Sequence, residues 1–123
     1  METFKKENEQ INRLSINMEE AIQNSLECFR ATTYGMEHCL SLGEKYSDQK
    51  HITLLKECAE ICQITASFMI ESSDFAHDVC GICARLCDLC GDSCYDLDPQ
   101  DPILRACMDA CKNCADSCRN MEH

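Results

Sequence analysis

The stretches VCGICARLCDLCGDSC, Val79 to Cys94, and ACMDACKNCADSCRNM, Ala106 to Met121, decide the fold of this chain. Each contains a set of four cysteines at successive offsets of four, three and four residues, and the first stretch has one more cysteine before its set. The second set follows the first by 24 residues. These offsets are the a and d positions of a heptad, so the four sulfurs share one face of an α-helix. The cysteines are Cys83, Cys87, Cys90 and Cys94 in the first copy and Cys107, Cys111, Cys114 and Cys118 in the second. The repeat predicts two helices that present cysteine where a bundle usually presents leucine.

The same stripe continues, with fewer cysteines, through the first half of the chain. Its members are Cys58, Cys62, Thr65 and Met69 on one helix, and Cys28, Thr32, Gly35 and Cys39 on another. Cys80 extends the third stripe toward its N-terminus. Before Cys28 the stripe runs through Leu14, Met18, Ala21 and Ser25, and this segment either lengthens the first helix or forms a separate short one.

Polar breaks separate the four stripes. They lie at Gly43 to Gln49, Glu71 to Asp74 and Asp96 to Asp101, and they leave a third helix from about Phe75 to Leu97. Pro102 suits the first turn of a fourth helix, where no backbone N–H is needed. Helices joined by short connections favour an all-α, antiparallel four-helix bundle with a cysteine-lined core. We expect residues 1–123 to form a single domain.

The charge of the chain excludes several functions. Of its 123 residues, 22 are acidic and 11 basic, which gives a formal net charge of -11. Nucleic acid and anionic membrane surfaces are therefore poor partners. The segment Met1 to Gln10 is charged and lacks an apolar signal core, and no stretch reaches the ~20 apolar residues that a membrane-spanning helix needs. We expect a cytoplasmic protein.

Thirteen cysteines in a chain of this length indicate a metal protein, a redox protein or a disulfide scaffold. A reducing cytosol keeps thiols free, which favours metal or redox chemistry, and the odd count leaves at least one thiol outside any complete set of disulfides. Residues at i and i+4 on a helix have Cβ atoms about 5 to 6 Å apart, so a C-x3-C pair can hold one metal ion between two sulfurs. Five such pairs are present: Cys58/Cys62, Cys83/Cys87, Cys90/Cys94, Cys107/Cys111 and Cys114/Cys118.

Soft thiolate ligands select Cu(I), which accepts two or three sulfurs without a fixed polyhedron. The stacked stripes therefore predict a store of multiple Cu(I) ions per chain, held by all thirteen cysteines, including Cys28, Cys39 and Cys80. Cysteines packing only as small hydrophobes and cross-helix disulfides are the structural alternatives. Zinc prefers tetrahedral sites, and the bacterial iron–sulfur spacing is not matched. A thiol redox or iron–sulfur electron-transfer protein is the alternative function, and no set of side chains predicts an enzyme.

Methionines and histidines are predicted at both ends of the bundle. Up-down topology gathers Met18, Met69 and Met121 near Ala76, where they form a sulfur-rich mouth, although methionines also fill gaps in ordinary cores. The opposite end holds Met36, His38 and His51 beside Cys39. Solvated His38 is the simplest expectation, whereas His51 continues the inner stripe. Met69, Met121, His51 and Met36 are therefore possible additional metal ligands.

The two repeats, together with KECAEIC from Lys56 to Cys62, resemble the cytosolic copper storage proteins. The resemblance covers most of the chain from about Ser25 onward. It implies a four-helix bundle filled with Cu(I), a homotetramer, and a role in copper storage or detoxification. The sequence departs from this pattern on the first helix, where Ala21, Ser25, Thr32 and Gly35 stand at positions that carry cysteine in richer relatives. The loop from Asp96 to Ile103 also lacks histidine, so we expect reduced capacity on that side and no clear entry route at that end.

Overall fold

The computed structural model describes the backbone of residues 2–121 and the side chains of residues 16–121. Within that part the chain forms four α-helices: α1 (Glu2–Leu42), α2 (Gln49–Ile70), α3 (Ala76–Leu97) and α4 (Pro102–Met121). A short 3₁₀ helix, Glu44–Ser47, joins α1 to α2. Each helix packs against the next one along the chain, and α4 packs back against α1. The predicted four-helix bundle is confirmed.

The first helix is one continuous element of 41 residues, whereas the other three have 20 to 22. The alternative of a separate short helix before Cys28 is therefore wrong. The stripe positions Ala21 and Ser25 are buried on the inner face of α1, and Met18 packs against the core. Leu14, which continues the same stripe in the sequence, lies outside the described side chains.

Local signals explain where the helices begin and end. The Asp48 carboxylate accepts a hydrogen bond from the His51 backbone N–H at 3.3 Å and so caps α2. Asp101 does the same for α4, accepting from the N–H groups of Ile103 and Leu104 at 2.9 and 3.1 Å. Gly43 has a φ of 72° and its N–H donates to the carbonyl of Cys39, a left-handed turn that ends α1. The predicted breaks are thus built from caps.

The core of the bundle is made mainly of sulfur. All thirteen cysteines are buried, and the largest hydrocarbon side chains buried with them are Leu55 and Leu104. A cysteine buries less apolar surface than a leucine at about 25 cal/mol per Å², so this interior stabilises the fold less than an ordinary core does. This smaller stabilisation accompanies a core in which the thiols lie close together.

Candidate metal centre

Two triads of cysteine sulfurs lie in the middle of the bundle, and each draws one sulfur from each of three helices. In the first triad, Cys28 of α1 lies 3.9 Å from Cys58 of α2 and 3.7 Å from Cys111 of α4, and the last two are 4.0 Å apart. We call these three residues the α1 triad. In the α3 triad, the sulfurs of Cys62, Cys83 and Cys114 are separated by 3.7, 3.9 and 3.7 Å.

These separations match a three-coordinate site. Three sulfurs placed around one ion at a metal–sulfur distance of ~2.3 Å are about 4.0 Å apart in a trigonal plane, and two sulfurs in a linear arrangement are about 4.6 Å apart. The observed values of 3.7 to 4.0 Å lie close to the trigonal figure. The side chains therefore already stand where a trigonal thiolate site needs them.

Cys87 of α3 connects the two triads. Its sulfur lies 3.9 and 3.8 Å from those of Cys28 and Cys58, and 3.8 and 4.0 Å from those of Cys62 and Cys83. Further groups within ligand distance of one another share members with the triads, and they are Cys28, Cys62, Cys87 and Cys114, and Cys83, Cys114 and Cys118. A sulfur shared in this way can bridge two ions, so the arrangement of sulfurs suits a cluster of metal ions.

The helical pairs that the sequence singled out are only part of this arrangement. Cys83 and Cys87 are such a pair, with their sulfurs 4.0 Å apart. The shortest distances between two cysteine sulfurs in the triads, 3.7 Å, join different helices instead. They depend on how far each helix is shifted along its neighbours, and the spacing within one helix does not contain that information.

The interior raises the pKa of most of its thiols and lowers the pKa of a few. Burial raises the pKa of Cys39 to about 11, with smaller contributions from the charges of Cys107 and Asp101. The pKa of Cys107 is raised by its hydrogen bond with Cys94 and by burial. Thiols that hydrogen-bond to each other have pKa values shifted in opposite directions. The pKa of Cys62 is raised by its hydrogen bond to Cys114, and the pKa of Cys114 is lowered by hydrogen bonds from neighbouring thiols. A metal ion that binds here must displace protons.

His51 lies beside Cys39 at one end of the core, as the stripe predicted. It is buried, and its Nε2 is 3.5 Å from the Cys39 sulfur. Its Nδ1 is 2.7 Å from the hydroxyl of Ser93 on α3, a contact that orients the ring. Burial lowers the pKa of His51, which favours the neutral imidazole that a metal requires. Sequence reasoning missed Ser93, because it lies on α3 outside the cysteine stripe.

The end that carries His51 is closed by polar contacts. His38 is not simply solvated, because its Nε2 lies 2.8 Å from a carboxylate oxygen of Asp101. The hydroxyl of Tyr46 in the 3₁₀ helix donates to Asp98 at 2.7 Å. Met36 is half-buried against the core. These contacts connect the loop between α3 and α4 to the α1–α2 side of the bundle.

The opposite end carries the predicted group of methionines. Met18, Met69, Ala76 and Met121 line a cavity of about 130 Å³ that also reaches Cys80. The Cys80 sulfur lies 3.9 Å from that of Met69. Met69 and Met121 are buried and Met18 is partly buried. A thioether cluster therefore sits directly over the first thiol of α3.

The inner face of α1 on both sides of Cys28 contributes hydroxyl groups to the core. Thr32 donates to the carbonyl of Cys28 at 2.7 Å and so satisfies its hydroxyl within its own helix. Ser25 lies 3.6 Å from the sulfur of Cys114 and borders the α3 triad. The departures noted in the sequence thus fall on the wall of the thiol cluster that α1 forms.

No helix in the described part of the chain is both long enough and apolar enough to cross a membrane. Fold and site together define a class, that of helical bundles whose interior is lined with thiols. The chain belongs to the copper storage protein family, whose model matches residues 15–123.

The chain is similar to three proteins of related length. It is 32% identical, over 77% of its length and 93% of the relative, to the uncharacterized cysteine-rich protein YhjQ of Bacillus subtilis. It is 31% identical to the Cu(I)-bound copper storage protein BsCsp3, with a TM-score of 0.81 over 87% of this chain and 99% of that one. It is 27% identical to a cytosolic copper storage protein from Streptomyces lividans in a structure with five coppers, with a TM-score of 0.83 over 90% of this chain and 96% of that one.

Proposed function

We propose that this protein binds several Cu(I) ions through cysteine thiolates inside the bundle and stores them. The observation that carries the proposal is the pair of triads, in which six different sulfurs lie 3.7 to 4.0 Å from their partners. Soft, closely spaced thiolates from several helices favour Cu(I) over ions that need oxygen ligands. Membership of the copper storage protein family supports the same conclusion.

Charge explains why ions are stored as a cluster. One Cu(I) held by three thiolates leaves two negative charges in a low-dielectric interior, where uncompensated charge is costly. Sharing a sulfur between two ions lowers the number of thiolates needed for each ion. Cys87, which lies within 4.0 Å of members of both triads, is the residue best placed for such sharing.

The ligand set that we propose contains all thirteen cysteines, with further ligands at the two ends. Met69 and Met121 would serve the end with the methionine cavity, and His51 would serve the end with Cys39. Met36 is the weakest of these candidates, because its side chain is only half-buried.

Storage, and not turnover of a substrate, is the role that we propose. Both copper-containing structures described above are of storage proteins, and the protein from Streptomyces lividans is described as cytosolic. We accordingly place this protein in the cytoplasm. A buried cluster whose ions are surrounded by sulfur leaves no open coordination position for a substrate, which suits a store.

We further propose that the bundles associate as a homotetramer. Several large apolar side chains of the described surface are more than half exposed, and they are Ile16, Tyr34, Ile70, Phe75, Leu89 and Tyr95. An assembly of copies would cover such groups. Light scattering coupled to size-exclusion chromatography measures the mass directly, and a monomeric mass would contradict the proposal.

An anaerobic titration tests the storage function. Reduced apoprotein is titrated with Cu(I) in the presence of a competing chromogenic chelator, and bound copper is counted per chain. We expect several equivalents to bind more tightly than to the chelator. Replacing Cys28, Cys58 and Cys111 by serine should lower the number of ions bound. The control variant is Ser117→Cys, which replaces an oxygen by a sulfur at a position outside the triads and should not lower that number. Uptake of one ion or none by the wild type would contradict the proposed storage function.

A further inference from the structure

A groove on the outer surface between α3 and α4 leads to the middle of the thiol cluster. It has a volume of about 290 Å³, and its lining includes Cys87, Gly91, Met108 and Cys111. Cys87 connects the two triads, and Cys111 belongs to the α1 triad. The groove therefore meets the cluster halfway along the bundle and not at an end.

Gly91 lies in the lining of the groove next to Cys111. A Cβ added at this residue would lie 3.6 Å from the Cβ of Cys111, so the missing side chain leaves the position above Cys111 uncovered. Cys111 is 1% exposed, and the other twelve cysteines are 0% exposed. Cys111 and Gly91 thus line the same groove, and Cys111 is the one cysteine of the described residues with any exposed surface.

The groove also carries groups that suit an arriving cation. Met108 is half-buried and stands one helical turn before Cys111, so its thioether is a soft ligand next to the first thiol. Asp92 supplies a carboxylate to the same groove, whereas the carboxylate of Asp88 is paired with Arg119 and the Lys112 ammonium lies 3.7 Å from Asp116. The lining combines attraction of positive charge with a sulfur ligand.

The two ends of the bundle offer longer routes to Cys111. At one end the pairs His38–Asp101 and Tyr46–Asp98 hold the loop between α3 and α4 against the rest of the bundle. At the other end the smaller methionine cavity reaches Cys80, which lies in α3 one step before Cys83 of the α3 triad. An ion entering there would pass the α3 triad before it reaches Cys111.

We propose that Cu(I) enters the store sideways, through a window between α3 and α4 at Gly91, and passes from Met108 to Cys111. This inference rests on the proposed storage function. The transfer is a ligand exchange without change of oxidation state. The ion arrives bound to the thiolates of a small donor; a Cys111 sulfur–copper bond forms as one donor sulfur–copper bond breaks, and the departing donor thiolate takes up the proton lost by Cys111.

Stopped-flow mixing of the full-length apoprotein with the Cu(I) complex of glutathione, under anaerobic conditions, tests this route. The absorbance of copper thiolate gives the rate of uptake, and metal analysis gives the final number of ions per chain. Gly91→Leu fills the window, and Gly91→Ala narrows it with a Cβ that the structure accommodates. The matched control is Gly81→Leu, which lies ten residues earlier in α3 at a separate groove lined by His77, Ile82 and Arg85. Ala76→Leu fills the methionine cavity for comparison.

We expect Gly91→Leu to slow uptake at least about tenfold, the factor that a barrier higher by about 1.4 kcal/mol produces, with an unchanged final number of ions. Gly91→Ala should slow it less, and Gly81→Leu should behave as wild type. Uptake by Gly91→Leu at the wild-type rate, or slowing by Ala76→Leu alone, overturns the window. Failure of the wild type to bind copper overturns the storage function as well, which separates the two failures.

Discussion

Gly35 lies where the backbone of α1 approaches a thiol of α4. A Cβ at this position would stand 2.5 Å from the Cys107 sulfur, closer than any real contact allows. The same sulfur donates to the carbonyl of Ala31 at 3.1 Å, which fixes it against α1. Gly35 therefore occupies a ligand position of the stripe in order to make room for a ligand on the opposite helix.

Gly35→Ala should therefore destabilise the apoprotein, although alanine is the better helix former. Displacing Cys107 costs about 1 to 3 kcal/mol, which outweighs the ~1 kcal/mol gained in helix propensity. Gly91→Ala is the matched control, because its Cβ meets only an ordinary contact at 3.6 Å, and it should be neutral or stabilising. Denaturant unfolding of the reduced proteins measures both. Equal stability of the two variants would contradict this account.

Individual residues also mark the limit of what the sequence predicts. Burial of His51 and its position beside Cys39 follow from the helical stripe alone. Its contact with Ser93 does not, because the two residues are 42 positions apart and lie on different helices. The hydrogen bond between His38 and Asp101 joins positions 63 apart and was missed for the same reason. Side-chain partners between helices depend on packing, which a repeat does not encode.

Among the elements, α3 and α4 were the easiest to predict and α1 the hardest. The stripes of α3 and α4 consist almost wholly of cysteine. The spacing of the cysteines therefore predicts which face of each helix is buried and how long the helix is. In α1 two cysteines are separated by ten residues, and the stripe alone left open whether the helix continued toward the N-terminus. The structure resolves this as one helix, Glu2–Leu42. It also adds a 3₁₀ helix in a segment that the sequence marked only as polar.

The composition of α1 sets the capacity of the store, and one substitution can raise it. Ser25 is fully buried, and its hydroxyl lies 3.6 Å from the sulfur of Cys114. Ser25→Cys therefore places a fourth sulfur beside the α3 triad with little change in volume. We expect the number of Cu(I) ions bound per chain to rise above the wild-type value in the anaerobic titration.

Ser117→Cys is the control for this gain. Ser117 is also buried, but its hydroxyl accepts a hydrogen bond from Asn24 at 2.6 Å, in the contact between α1 and α4. A thiol at this position adds a cysteine to the chain where the wild-type hydroxyl contacts Asn24 and no sulfur of the α3 triad. Equal capacities for the two variants would mean that the count of cysteines, and not their position, sets the number of ions.

At the scale of the whole molecule, the fold raises the pKa of most of its thiols, and this links stability to pH. The pKa of Cys39 is raised from 9.0 to about 11 by burial, and burial together with neighbouring thiols raises those of Cys94 and Cys107. A group with a raised pKa holds its proton longer in the folded than in the unfolded chain. The resulting stabilisation is complete below pH 9 and is lost as the pH rises toward 11.

The apoprotein should consequently melt at a lower temperature at pH 10 than at pH 8. One thiol with the pKa of Cys39 contributes about 1.3 kcal/mol of this loss between pH 8 and 10, and about 3 kcal/mol once the pH is well above 11, since each pKa unit corresponds to about 1.4 kcal/mol. The copper-loaded protein should show a much smaller decrease, because its thiols have already given up their protons to the metal. Thermal denaturation of both forms under anaerobic, reducing conditions makes the comparison. The phenol of Tyr46, whose pKa is raised by its hydrogen bond to Asp98, would add to the loss, so the Tyr46→Phe variant isolates the thiol contribution. If apo and loaded proteins lose stability equally between pH 8 and 10, the buried thiols are not the groups responsible.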